Sequence, residues 1–103
     1  MEIRAINKEV CLTIRRTQEE LRACTNDLVE LEVRATKSHA EVTKCEAEYD
    51  KNHTAETGAA LEKAYDKHDI VMTQYDDAKE YAERLAEVLE ALQTANEALK
   101  SIM

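Results

Sequence analysis

The sequence predicts an all-α protein that folds as a long antiparallel helical hairpin of the coiled-coil type, and three observations lead to this prediction. The chain has 103 residues, no proline and one glycine, so it lacks the turn residues that a sheet protein needs about every 8 to 12 residues. Apolar residues recur with alternating spacings of three and four, the period of helices that pack along one seam. This repeat changes phase once, between residues 50 and 58, which indicates a single reversal of the chain.

The first helix is predicted over residues 3–51. When Ile14 is given the a position of a seven-residue repeat (positions a to g), the a and d positions form one continuous seam. Ten of its twelve members are apolar residues or cysteine, and the other two are small hydroxyl residues. The seam consists of Val10, Ile14, Thr17, Leu21, Cys24, Leu28, Leu31, Ala35, Ser38, Val42, Cys45 and Tyr49.

A turn is predicted over residues 52–57 and a second helix over 58–103. Residues with cap and turn chemistry cluster there, ending at Gly58. Folding back about residue 54 places residue i near residue 109 − i, so that Leu31 faces Ala78 and Val10 faces Leu99. The seam of the second helix consists of Leu61, Ala64, His68, Val71, Tyr75, Ala78, Ala82, Leu85, Leu89, Leu92, Asn96, Leu99 and Met103.

An alternative interpretation divides the second helix and gives a three-helix bundle. Asp77 and Glu80 form an N-terminal capping pair in that case, and the break lies near Asp76-Asp77. The three-four spacing continues through this point, which favours one continuous helix in a single helical domain over residues 1–103.

The positions beside the seam differ between the two helices. On the first helix they are mainly polar, whereas on the second they are largely apolar, so one partner helix cannot cover them. Two hairpins that associate into a four-helix bundle bury this face, as does a helical partner of another kind. We therefore predict a homodimer or a helical hetero-partner, with an interface formed by Tyr65, Met72, Tyr81, Val88 and Ile102.

Charge and cysteine content restrict the class of protein further. The chain has 14 Lys and Arg against 22 Asp and Glu, a net charge of −8, which disfavours direct contact with nucleic acid. It has no run of about 18 apolar residues, so no membrane span is predicted. Three cysteines without a paired spacing, and no signal peptide, favour reduced thiols and a cytoplasmic location.

No enzyme chemistry is predicted. Cys24 and Cys45 occupy seam positions, and no histidine or acid stands three or four residues from Cys11. No Glu-x-x-His pair is present for a metal site within a helical bundle, so no catalytic residue, metal or cofactor is expected. His68 is interpreted as a residue at the edge of the core that is hydrogen-bonded to Glu41.

These features predict a non-enzymatic protein-interaction module, an adaptor, scaffold or small chaperone that binds through the wide apolar face of the second helix. Its plan resembles that of tubulin-binding cofactor A and the coiled-coil arms of prefoldin, in architecture alone. The alternative is a small acidic inhibitor that docks in the basic groove of a nucleic-acid-processing protein. That function would use an acidic ridge on the second helix: Asp76, Asp77, Glu80, Glu83, Glu87 and Glu90.

Overall fold

The computed structural model describes residues 2–103 and contains two α-helices. Helix α1 spans Ile3–Lys51, the range that the sequence predicts, and helix α2 spans Ala55–Ile102. The all-α prediction is confirmed, and no strand occurs among the described residues. Helix α2 is continuous through Asp76 and Asp77, so the three-helix alternative is wrong. Neither helix of residues 2–103 has an apolar stretch long enough to cross a membrane.

The turn is shorter than predicted, because a threonine caps α2 earlier than expected. Thr54 is the N-cap, and its Oγ1 accepts a hydrogen bond of 3.1 Å from the Thr57 amide. The Thr57 hydroxyl in turn donates to the carbonyl of Asn52. Only residues 52–54 therefore lie between the two helices, and α2 begins at Ala55 rather than at residue 58.

Gly58 is a helical residue and does not form the turn. Its amide donates to the Thr54 carbonyl at 3.0 Å, within the first turn of α2, and it has no positive φ. A Cβ at this position would lie 3.4 Å from Cε1 of Tyr49. The ring of Tyr49 also lies 4.6 Å, centroid to centroid, from the ring of His53. The glycine therefore provides room for Tyr49 at the closed end of the seam.

The pattern of burial follows the predicted seam. In α1 every a and d position from Asn7 to Tyr49 is buried or half-buried, and in α2 the same holds from Leu61 to Leu99. Outside the seam, only a few described residues are covered to the same degree, namely Leu12, Thr57, Gly58 and Met72. The period of 3.5 residues therefore determines which side of each helix faces the other.

The chain divides into two compact units. We call residues 27–78 the turn unit, and residues 2–26 with 79–103 the end unit. In the turn unit the two helices are antiparallel, with a small core formed by Val42, Cys45 and Ala64, on which Leu61 packs.

In the turn unit each residue of α1 faces a residue of α2 that lies two to three positions earlier than predicted. The Ser38 hydroxyl lies 2.6 Å from Nδ1 of His68, and the His39 and His68 rings are 5.7 Å apart, so that residue i lies near 106 − i or 107 − i. The predicted hydrogen bond of His68 with Glu41 is therefore wrong. Glu41 instead lies 3.7 Å from the Cys45 thiol. The short turn causes the shift, because it moves the point of reversal toward the N-terminus.

In the end unit the helix segments are also antiparallel. The hydroxyl of Tyr81 donates to Glu20 at 3.3 Å, and Sγ of Cys11 lies 3.5 Å from Oδ1 of Asn96. Ala82 and Thr17 are the buried side chains. Thr17 satisfies its hydroxyl within its own helix by donating to the Thr13 carbonyl at 2.8 Å.

Replacing Val42 by alanine tests how much the small core of the turn unit stabilises the protein. Val42 is 5% exposed, so its truncation is expected to lower the free energy of unfolding by about 2 kcal/mol. Val29→Ala is the matched control, because Val29 lies on the same helix and is 58% exposed. Urea denaturation followed by circular dichroism measures both variants. Equal losses in the two variants would contradict the assignment of the core.

Candidate functional site

The five residues predicted for the interface belong to two surfaces. Tyr65 and Met72 occupy e positions in the turn unit, whereas Tyr81, Val88 and Ile102 occupy g positions in the end unit. Four of the five are exposed, between 42% for Tyr65 and 66% for Ile102, and Met72 is half-buried. The e and g positions flank opposite sides of a seam, so each group is described with its own neighbours.

A second apolar row runs along α2 in the end unit. It combines the g positions with the c positions and again has alternating spacings of three and four. All seven members are exposed and six of them are apolar. We call this row the second seam; it consists of Tyr81, Arg84, Val88, Ala91, Ala95, Ala98 and Ile102.

The polar contacts of the second seam are confined to its N-terminal end. Arg84 donates to Glu80, one helical turn before it, in an exposed ion pair that stabilises the helix only slightly. The Tyr81 hydroxyl donates to Glu20. The negative charge of Glu20, followed by partial burial and this hydrogen bond, raises the pKa of Tyr81.

A groove lies between the helices of the turn unit, on the side of the e positions. It is an open depression of about 330 Å³, at a place where Ala35 and Thr36 are small and the neighbouring side chains are large. The rings of His39 and His68 lie beside each other in its wall. Its full lining is Glu32, Ala35, Thr36, His39, His68, Met72 and Tyr75.

Tyr65 is fixed beside this groove by a contact between the helices. Its hydroxyl donates to Glu46 of α1 at 3.2 Å. Partial burial raises the pKa of Tyr65, and the hydrogen bond and charge of Glu46 act in the same direction. Tyr65 stands seven residues before Met72, so both lie on the same side of α2.

The acidic ridge is exposed at every position. Asp76 and Asp77 lie in the turn unit and the four glutamates in the end unit. Glu80 is paired with Arg84, and the other five form no ion pair within the described part of the chain. Asp76 and Asp77 are adjacent in sequence and therefore point about 100° apart around the helix.

The thiols and histidines of residues 2–103 do not form a cluster of metal-ligand type. No group of three or more His, Cys, Asp or Glu among them is placed to hold a metal ion. Cys45 is buried, and this burial, followed by the charge of Glu41, raises the pKa of its thiol. Cys11 is exposed and Cys24 is half-buried, and all three thiols are free.

Two features of these surfaces are not indicated by the a and d positions of the helices. Ala91 and Ala98 at c positions complete the second seam, and a search for a second seven-residue repeat on α2 finds them. Ala35 and Thr36 open the groove, and the sequence pattern carries no signal for it, because the space depends on which residues of α2 lie opposite them. Comparison of the chain with protein-family models, with curated proteins and with solved structures found no match.

The three cysteines are expected to react with iodoacetamide in the order Cys11, Cys24, Cys45, because exposure falls in that order and the raised pKa of Cys45 lowers its thiolate fraction. Peptide mass spectrometry after timed alkylation measures the order. Glu41→Gln is expected to speed the alkylation of Cys45, and urea should abolish the differences. Reaction of Cys45 before Cys11 in the folded protein would contradict the structure.

Removing the charge of Glu20 is expected to lower the pKa of Tyr81. Because the pKa of Tyr81 is raised in the folded state, its contribution to stability is complete below the ordinary tyrosine value of about 10 and is lost as the pH rises through the folded value. Titration of ¹³C-labelled tyrosine by NMR measures the pKa in Glu20→Gln. Glu19→Gln is the matched control. An equal change in both variants would show that Glu20 has no specific contact.

Proposed function

We propose that this chain is a non-enzymatic protein-interaction module, an adaptor, scaffold or small chaperone, and that its first partner is a second copy of itself. The observation that carries the proposal is the second seam. A helix with two seven-residue repeats on different sides is typical of a helix that packs against two other helices. In the end unit, α1 covers the first seam of α2, and the second seam is left exposed.

The large exposed surface of the chain supports the existence of a partner that covers part of it. Residues 2–103 contain no fully buried side chain, and the chain exposes 7756 Å². A compact monomer of this mass exposes roughly 5,900 Å². The excess is roughly 1,900 Å² per chain, or roughly 3,800 Å² over two copies, which is of the size that obligate homodimer interfaces bury.

The composition of the second seam fits a second helix at short distance. Ala91, Ala95 and Ala98 let two helix backbones approach closely, and Val88 and Ile102 supply the larger side chains. An antiparallel pairing of two copies centred on Ala91 places Val88 of each copy opposite Ala95 of the other. In the middle of the contact large side chains then meet small ones, and at its ends Tyr81 of each copy meets Ile102 of the other.

Charges favour the antiparallel arrangement over the parallel one. In a parallel pair, Arg84 meets Arg84 of the second copy, and Glu80 meets Glu80. In the antiparallel pair, Arg84 meets Ala98, and the flanking Glu87 lies near Thr94 of the second copy. Such a contact is isologous and closes as a dimer, and this dimer is the four-helix bundle that the sequence predicts.

The cellular setting that we propose is a reducing compartment such as the cytoplasm. Cys11, Cys24 and Cys45 are all free, and Cys11 is exposed. Exposed thiols persist in compartments where glutathione and thioredoxin keep them reduced.

The acidic inhibitor is the second candidate function. The observation that favours it is the exposure of all six ridge carboxylates, five of which have no ion-pair partner in the described chain. A partner held by the ridge responds to the number of carboxylates and to salt, and not to the apolar side chains. This response distinguishes the ridge from the second seam.

Two glutamates placed in the second seam are expected to convert the dimer into a monomer. Val88→Glu with Ile102→Glu introduces charge into the proposed contact, so the mass in sedimentation equilibrium should fall from twice the 11.7 kDa of one chain to that of one chain. Ala86→Glu with Gln93→Glu is the matched control, because it adds the same charge at exposed e positions of α2, on the other side of the first seam from the second seam.

The control variant should retain the mass of the dimer. A wild-type chain that is monomeric at every concentration, or a dimer that persists in Val88→Glu with Ile102→Glu, would refute self-association through the second seam. Circular dichroism checks that both variants remain helical.

A further inference from the structure

We propose that the groove of the turn unit binds a basic amphipathic helix of another protein. One large apolar side chain of that helix would enter the groove, and Lys or Arg residues on both sides of it would meet carboxylates at the rim. This surface differs from the second seam, so the proposal adds a partner to the proposed self-association and stands without it.

The side of the turn unit that carries the groove is acidic on both helices. In α2 the b positions, which lie three or four residues from Tyr65 and Met72, are all acidic in this unit. In α1 the e and b positions contribute three more carboxylates on the same side. The six exposed carboxylates of this side are Glu32, Glu46 and Asp50 on α1 and Glu62, Asp69 and Asp76 on α2.

The groove side has no Lys or Arg in residues 27–78. All six basic residues of the turn unit occupy c or g positions, on the opposite side: Arg34, Lys37, Lys44, Lys51, Lys63 and Lys67. Six carboxylates accompany them there: Asp27, Glu30, Glu41, Glu48, Glu56 and Asp77. The formal charge is therefore −6 on the groove side and 6 − 6 = 0 on the other side.

The depressions on the two sides of the turn unit also differ in their lining. The groove is lined mainly by apolar and aromatic surface, including Ala35, Met72 and Tyr75. A second depression on the opposite side is lined by Arg34, Lys37, Glu41 and Lys67 beside Ile70. Only the groove combines an apolar floor with a rim of one sign, which is the arrangement that recognises an amphipathic helix of opposite charge.

The sign of the groove side disfavours the turn unit of a second copy as the occupant. Two groove sides placed face to face bring six carboxylates against six, and the opposite side of that unit offers no net positive charge. A volume of about 330 Å³ is roughly ten times that of one water molecule, so the groove accepts a side chain such as leucine or phenylalanine. The rim then selects a helix with basic residues beside that anchor.

The probe is a synthetic helix of about 18 residues, roughly 27 Å long, with leucines at i, i+3 and i+7 and lysines beside them. A second peptide has glutamates in place of the lysines. Fluorescence anisotropy of each labelled peptide, titrated with the full chain, measures Kd. NMR of the ¹⁵N-labelled chain locates the contact.

Reversing the rim charges is the decisive test. Asp69→Lys with Asp76→Lys is expected to weaken binding of the lysine peptide about tenfold or more. Asp66→Lys with Asp77→Lys is the matched control, because it changes the net charge equally at exposed neighbours outside the groove side. It should change Kd less than about threefold, since only screened long-range charge is altered.

A second pair of variants tests the apolar floor. Met72→Ser is expected to weaken binding of the lysine peptide several-fold, whereas Ile70→Ser, two residues away on the opposite side, should leave Kd unchanged. Stronger binding of the lysine peptide than of the glutamate peptide, with NMR shifts around Met72 and Tyr75, supports the proposal.

Three results would overturn the proposal. The first is that the lysine peptide does not bind the wild-type chain at low salt. The second is an equal loss of affinity in Asp69→Lys with Asp76→Lys and in the control Asp66→Lys with Asp77→Lys, and the third is NMR shifts confined to the side opposite the groove. Sedimentation of the same samples keeps this outcome separate from self-association, because a monomer that binds the peptide refutes only the dimer. A change of oligomeric mass in Asp69→Lys with Asp76→Lys alone would place a second copy in the groove and refute the basic helix.

Discussion

The packing of α1 against α2 along one seam is the constraint on which the rest of the structure depends. Two helices bury only the sides that they turn toward each other, and even the best-covered side chains, such as Val42 and Ala64, retain 5% of their exposure. Every residue beside the seam is therefore at least partly open to solvent. Apolar residues in these flanking positions give the helices surfaces on which a further helix can pack.

The sequence alone predicts the seam because large apolar side chains carry its period through many turns, and a single exception such as Thr17 does not hide it. The turn is less predictable because its chemistry is local. Thr54, Thr57 and Gly58 all have the character of cap residues, and the structure selects Thr54. The contact of Tyr49 with Gly58 is a tertiary one, which cap preferences do not contain. Because the turn is predicted three residues too long, the predicted pairing of the two helices is wrong by two or three residues, and His68 is assigned the wrong partner.

The flanking surfaces were predictable in part for the same reason. Exposure of Tyr81, Val88 and Ile102 follows directly from their g positions. The groove was not predictable, because its volume depends on which small residue of α1 faces which large residue of α2. Ala35 is an ordinary seam residue in the sequence, and only its placement opposite the side of α2 that carries Met72 and Tyr75 opens a space.

Apolar content does not distinguish the two surfaces, whereas charge does. The second seam has a single charged member, Arg84, which is already paired with Glu80, so the row itself presents no unpaired charge to an identical copy. The groove side carries carboxylates on both helices, so the groove side of an identical copy is repelled and a basic helix is attracted. In a two-helix protein with so small a core, the distribution of charge beside the seam therefore decides which partner each apolar surface accepts.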